Sequence, residues 1–250
     1  MNAIRPPLTA ARTLRVLGLL LALTLAVLAW ALASGSDALA WTDLPRLLWQ
    51  PDGSMASEIL HRLRLPRALA ALSTGALLAL SGALMQVLLR NPLADPYVLG
   101  LSGSAALGAL LMLALGCSFL AVQAGAFVGA LAAVAIVFLL GRHDLGRLEA
   151  ASSQDSTPRL LLTGVMLSSM AMAGVSLVLS LAPSEQLRGM LFWMMGDLSG
   201  TDVPAPVLLL PLALLALLLP FGRDLNLLLR GPGPAQMLGV PVRRVRALIY

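Results

Sequence analysis

The sequence predicts an all-α fold, a polytopic bundle of transmembrane helices, on three observations. Of its 250 residues, 58% are hydrophobic and only 12% charged, whereas soluble domains carry about 25% charged and roughly 45–50% apolar residues. A water-soluble chain of this length has no core large enough to hide that much apolar surface, so the bilayer must be the solvent. Charge-free runs of about 20 residues recur, the length that crosses about 30 Å of hydrocarbon at about 1.5 Å per residue. The arginines, finally, fall unevenly on the segments between those runs.

The first run, 16–36, follows Arg5, Arg12 and Arg15 and ends near Ala31-Leu32-Ala33. It has the outline of a secretory signal, but its apolar part exceeds the usual ~7–15 residues and more spans follow, so it is taken as a retained helix. Runs 68–89, 160–184 and 203–222 supply three further spans. Nothing between Asp95 and Arg142 is charged, which leaves room for two spans with a turn at Gly116-Cys117-Ser118. The expectation is six complete spans in a single transmembrane domain over 1–250, with Arg243-Arg244-Val245-Arg246 opening a seventh.

The connecting segments then take sides. Twelve arginines lie inside and five outside (Arg46, Arg62, Arg64, Arg67 and Arg188) if the N-terminus is cytoplasmic, which satisfies the positive-inside rule. Segment 37–67 is then external, with Trp41 and Trp49 as interfacial anchors, and so is 183–202, with an amphipathic stretch at 187–196. The tight loop 90–96, the polar loop 141–159 and the segment 223–246, centred on Gly231-Pro232-Gly233-Pro234, are internal. Small residues crowd the spans, among them Gly75, Gly82, Gly100, Gly103, Gly108 and the Gly125–Gly129 pair; in lipid, such residues let helices approach closely.

The residues show no Ser-His-Asp or paired-carboxylate arrangement and do not point to a catalyst. All 17 basic residues are arginine, so the phosphate-binding loop ending in Gly-Lys-Ser/Thr is excluded, and with it an ATPase of that type within the chain. The spans hold no Asp, Glu, Arg or His, the groups that ion-coupled carriers bury as relays. His61 and His143 fall on opposite sides of the membrane and cannot share a metal. Met166 and Met170, one turn apart, are read as flexible apolar packing rather than a soft-metal path. Cys117 has no partner for a disulfide. No catalytic residues and no metal site are expected, and no basic face with interleaved aromatics points to nucleic acid.

The motifs resemble those of the permease family of ATP-binding-cassette importers for iron–siderophores, haem and vitamin B12. Arg64-Leu65-Pro66-Arg67, Gly82-Ala83-Leu84-Met85-Gln86, Asn91-Pro92-Leu93-Ala94-Asp95-Pro96 and Leu99-Gly100 occur in the family's order and spacing. Leu161-Leu162-Thr163-Gly164-Val165, Trp193-Met194-Met195-Gly196 and Leu238-Gly239-Val240 continue the register, so the likeness runs from about residue 58 to the end.

The resemblance implies a pore between two permease subunits, most simply a homodimer. It also implies two ATPase subunits that carry ATP and magnesium, a periplasmic or lipid-anchored substrate-binding protein, and an inner-membrane location. Arg64 and Arg67 would dock the binding protein; the plainer reading is pairing with Glu58 or lipid phosphate. Asn91, Leu93 and Thr157 would form the cytoplasmic gate, although Asn91 reads equally as a helix-end residue. Gln236, Met237, Leu238, Gly239 and Val240 would couple to the ATPase, on a short helix at 235–240 within the cytoplasmic segment 223–246.

Two departures from the family stand out. Gly231-Pro232-Gly233-Pro234 replaces acidic residues ahead of Leu238, and Thr157-Pro158 replaces a pair of small hydroxyl residues. Family members have about ten helices, so the chain is expected to stop early. The alternatives are a secondary carrier or channel-like protein needing no ATPase, and a membrane scaffold.

Overall fold

The computed structural model describes residues 9–35, 39–147, 156–198 and 205–249, with the backbone alone at 141–147, 156–160 and 205–206. Every regular element among the described residues is helical. They are α1 (Ala10–Ala33), α2 (Leu44–Trp49), α3 (Met55–Ile59), α4 (Leu65–Leu89), α5 (Leu101–Ala114), α6 (Phe119–Arg147) and α7 (Ser156–Leu181), then α8 (Ser184–Met195), α9 (Ala205–Leu218), α10 (Gly222–Leu228), α11 (Pro232–Met237) and α12 (Val242–Ile249). A π-helical turn, Leu60–Arg64, joins α3 to α4 without a break.

Five helical runs among the described residues are long and apolar enough to cross a membrane: Ala10–Ala33, Met55–Leu89, Phe119–Leu140, Leu161–Leu181 and Val207–Leu228. The sixth expected span is shorter. α5 has 14 residues, about 21 Å at about 1.5 Å per residue, because the chain spends Pro96–Leu99 on a 3-10 turn first. Asp95 starts that turn, its carboxylate accepting the Tyr97 N–H at 2.7 Å. The turn expected at Gly116-Cys117-Ser118 separates α5 from α6, with the Cys117 N–H donating to Met112 O at 3.0 Å.

Two expected boundaries move. The polar loop 141–159 is helical at both ends, since α6 continues to Arg147 and α7 begins at Ser156; 148–155 lie outside the described residues. The helical run of the last span continues past Arg223 and Asp224 to Leu228. Pro220 sits in the 3-10 turn Leu219–Phe221, at a turn start where a missing N–H is harmless, so helix resumes there.

The chain divides into two compact units, the first holding the described residues through Thr74 and the start of α9 to Leu209. In it, Leu32 and Ala33 at the end of α1 pack with Leu44 and Leu47 of α2 and with Leu60 of the π-turn. The His61 Nε2 lies 2.9 Å from Leu47 O, a structural tie. Ser54 caps α3 by accepting the Ser57 N–H at 3.2 Å. Trp41 and Trp49 are exposed, in keeping with interfacial anchoring.

The second unit holds Gly75–Asp197 and Leu210 onward. α5 packs mainly against α6 and α7. A Cβ on Gly125 would stand 2.7 Å from Gly108 O and 2.6 Å from Met112 Cγ, so α5 and α6 meet backbone to backbone. On α8, Met190 is buried with Leu110 and Val175, and Gly196, at φ +81°, ends the helix. Met166 and Met170 do not pack inside the chain; both are exposed on α7.

Candidate functional site

Three places carry the residues that the sequence singles out. The first is the π-turn and the start of α4. Arg64 is half-buried, and its Nη1 donates to Leu32 O at 2.9 Å and Ala33 O at 3.0 Å. A guanidinium is thus laid on the last carbonyls of α1, which intrahelical bonding leaves unpaired and where helix dipoles favour a cation. Arg67, one turn on, is exposed. Glu58 does not serve either of them: its carboxylate pairs with Arg62 at 2.5 Å, four residues along the same helix.

The second is the loop after α4. The Arg90 N–H donates to Val87 O at 3.3 Å and the Asn91 N–H to Gln86 O at 3.2 Å. These two bonds form the left-handed closure that usually has glycine at the turning residue. Here Arg90 takes that place at φ +49°, a conformation that costs a side-chain-bearing residue about 1–2 kcal/mol. Asn91 turns inward on its own loop, its Oδ1 accepting the Leu93 N–H at 2.9 Å. That fixes Leu93, whose side chain is 87% exposed. Thr157 lies in the first turn of α7.

The third is the segment expected to form a helix at 235–240. The helix is instead α11, Pro232–Met237, so it starts three residues earlier and ends before Leu238. The prolines set that start, since Pro232 at the first helical position brings a suitable φ and needs no N–H partner. At the far end Gly239, φ +82°, makes the same closure as Arg90: its N–H donates to Gln236 O at 2.9 Å, and the Val240 N–H donates to Ala235 O at 3.0 Å. Gln236, Met237, Leu238 and Gly239 are exposed, Met237 to 89%. Val240 is only 5% exposed, in a core with Leu228, Ala235, Val242 and Val245. Val240 therefore anchors the segment, while Met237 and Leu238 present apolar side chains outward.

The second and third places lie in the same unit and touch. Val87, at the end of α4, packs against the core under α11, and a Cβ on Gly231 would lie 3.7 Å from Arg90 Nη1. In the order of residues Arg90 carries no sign of a role beyond its charge on the side expected to be internal. The one local signal was an arginine at a helix end, ahead of Asn91-Pro92, where glycine is the usual residue.

Among the described residues, five membrane-length apolar runs joined by short helices make this a polytopic helical membrane protein. The fold matches a solved chain described as a metal-chelate type ABC transporter in an inward-facing conformation, with a TM-score of 0.74 and 28% identity over 94% of this chain and 71% of that one. The chain belongs to the FecCD transport family, whose model matches residues 22–250.

Among curated relatives, the chain is 38% identical to the hemin transport system permease protein HmuU of Yersinia pestis, over 89% of this chain and 67% of the relative. It is 38% identical to the vitamin B12 import system permease protein BtuC of Klebsiella pneumoniae, over 80% and 60%. It is 35% identical to the cobalamin import system permease protein BtuC of Halobacterium salinarum, over 78% and 51%. The chain thus spans about half to two-thirds of the length of these relatives. Each of these three relatives is named as a permease.

Proposed function

We propose that this chain acts as the permease of an ATP-binding-cassette importer that moves an iron(III)–siderophore, haem or cobalamin across the inner membrane. The observation that supports this is the likeness of residues 22–250 to the FecCD family, whose matched relatives are named for hemin and for vitamin B12. Residues 1–250 work as one permease domain beside a second copy. ATP and magnesium are handled by two partner ATPases, and a substrate-binding protein delivers the cargo from outside.

Arg67 is the docking residue in this reading. It is exposed, and a guanidinium holds a carboxylate by two parallel hydrogen bonds. Arg64 is shared between docking and the end of α1. Losing one partner of a buried interfacial ion pair costs about 2–5 kcal/mol, so Arg67→Glu is expected to weaken capture of the binding protein at least tenfold without lowering the Tm. Arg64→Glu is expected to weaken capture and lower the Tm together. Uptake of haemin, cyanocobalamin and a ferric hydroxamate, measured with wild type and Arg67→Glu in the complete transporter, tests the reading. Wild-type uptake that persists without the ATPase, or that is indifferent to Arg67→Glu at low salt, counts against it.

Asn91, Leu93 and Thr157 form the cytoplasmic gate, with the N-terminus on the same side. Leu93 is the best probe because its side chain is free of the loop's own bonds. In a Cys117→Ser background, needed because Cys117 is exposed, Leu93→Cys is expected to resist a membrane-impermeant thiol reagent in intact cells. It is expected to cross-link to its symmetry mate in the resting transporter. Labelling from outside would reverse the orientation.

A further inference from the structure

We propose that Arg90 is the positioning residue that ties the gate loop to the ATPase-coupling segment. The inference rests on the coupling reading of α11 and Leu238. It starts from a comparison within the molecule. Three helices, α4, α5 and α11, end in the same pair of hydrogen bonds, with Arg90, Gly116 and Gly239 at equivalent positions. Gly239 takes the left-handed conformation without steric penalty, whereas Arg90, at φ +49°, takes it against the preference of any residue with a Cβ. A strained residue persists where its surroundings over-determine it, and such residues gather at switches and clamps.

The surroundings of Arg90 are of that kind. The last turn of α4 packs in two directions. Met85, Leu88 and Leu89 join Ala94 of the gate loop, Leu99, Val137 and Leu167 in one core. Val87, between them, joins the core of α10, α11 and α12. Ile249 lies against both cores. Arg90 closes this corner: its backbone turns the chain into Asn91 and Leu93, and its guanidinium reaches the Gly231 turn at the start of α11, with Nη1 3.7 Å from where a Cβ on Gly231 would stand. A push on Met237 or Leu238 therefore meets, within one short helix, a side chain rooted in the gate loop. Removing that side chain leaves the loop with its favoured backbone and takes away its reach to the Gly231 turn.

This gives a test in which fold and role respond in opposite directions. In the complete transporter, reconstituted with its ATPase and binding protein, Arg90→Gly is expected to assemble with a Tm equal to or above wild type. It is expected to hydrolyse ATP within about twofold of the wild-type rate while uptake of the cargo that wild type imports (haemin, cyanocobalamin or ferric hydroxamate) falls at least tenfold. Arg90→Lys, which keeps a long cationic stem, is expected to recover part of that uptake. Uptake per ATP that stays within twofold of wild type in Arg90→Gly overturns the proposal. So does a parallel fall of Tm, hydrolysis and uptake, the mark of a merely structural residue. Leu238→Asp, run beside it, separates the two levels. If Leu238→Asp uncouples and Arg90→Gly does not, the coupling reading stands and Arg90 has no part in it; if Leu238→Asp transports normally, both fall.

Discussion

Gly125→Leu is expected to abolish folded protein, with little or no monodisperse material recovered in detergent. The substitution acts where α5 and α6 touch. A Cβ at Gly125 would lie 2.7 Å from Gly108 O and 2.6 Å from Met112 Cγ, and one at Gly108 would overlap the Gly125 carbonyl in turn. Met112 can swing aside; the carbonyl cannot, because it belongs to the helix ladder. Four residues on, Gly129 faces the backbone of Ser104 and Ala105, so the helices have no free turn on which to pivot. Overpacking a dense interior costs about 1–3 kcal/mol, occasionally more, and a backbone obstacle leaves no rotamer to relieve it. The upper end or beyond is therefore expected. In lipid the loss is sharper still, since close approach through small residues is what holds such helices together. Gly18→Leu on α1, where a Cβ meets nothing within 4 Å, is the matched control and is expected to leave yield and Tm unchanged. Equal Tm values for Gly125→Leu and wild type would remove this contact from the fold.

The membrane class, and most of the spans, could be read from the sequence because lipid imposes a simple rule: no charge for about 20 residues. Gly125 and Gly129 also declared themselves, since a small residue every fourth position has few other uses within a span. The rule fails where length and charge part company. Residues 96–141 carry no charge, yet Pro96 begins a 3-10 turn and leaves α5 at 14 residues. At the other end, Arg223 and Asp224 lie inside the last helical run, so charge marked the edge too early.

The sites divide in the same way. Gly239 ends α11 as a glycine after apolar residues should, and Pro232 starts it. Arg64 could not be understood locally, because its partners, Leu32 O and Ala33 O, are 32 and 31 residues away. Its placement, expected to run against the charge bias, has a second explanation that only tertiary structure supplies: it closes the end of α1. Arg90 stayed hidden for a related reason, since neither its φ nor Gly231 beside it is visible in the order of residues.

Leu238→Asp is expected to abolish import while leaving the ATPase able to turn over and the binding protein able to dock. Leu238 follows the last residue of α11, its N–H bonded back to Pro234 O and Ala235 O at 3.2 Å, and its side chain is 55% exposed beside Met237 at 89%. Two large apolar side chains at the tip of a short helix suit insertion into an apolar groove on a partner. The tip is rigid. Ala235, Val240, Val242 and Val245 are all buried beneath it, and the Gly239 closure fixes its end, so a force on the tip passes into the core rather than bending a loop. A carboxylate in that groove would be desolvated without a partner. Truncations at such anchors cost about 2 kcal/mol or more, and an unpaired buried charge raises that further. A loss of coupled transport of at least thirtyfold is the expected reading, from uptake assayed against ATP hydrolysis in the same proteoliposomes. Leu238→Met, which keeps volume and apolarity, is expected to retain most of it, as volume-conserving swaps usually cost under about 1.5 kcal/mol. The fold of the permease should be untouched by either change, because the Leu238 side chain contributes to none of the buried cores. An unchanged Tm with lost uptake thus assigns the defect to the interface, and normal uptake by Leu238→Asp would leave α11 as an exposed turn with no share in the mechanism.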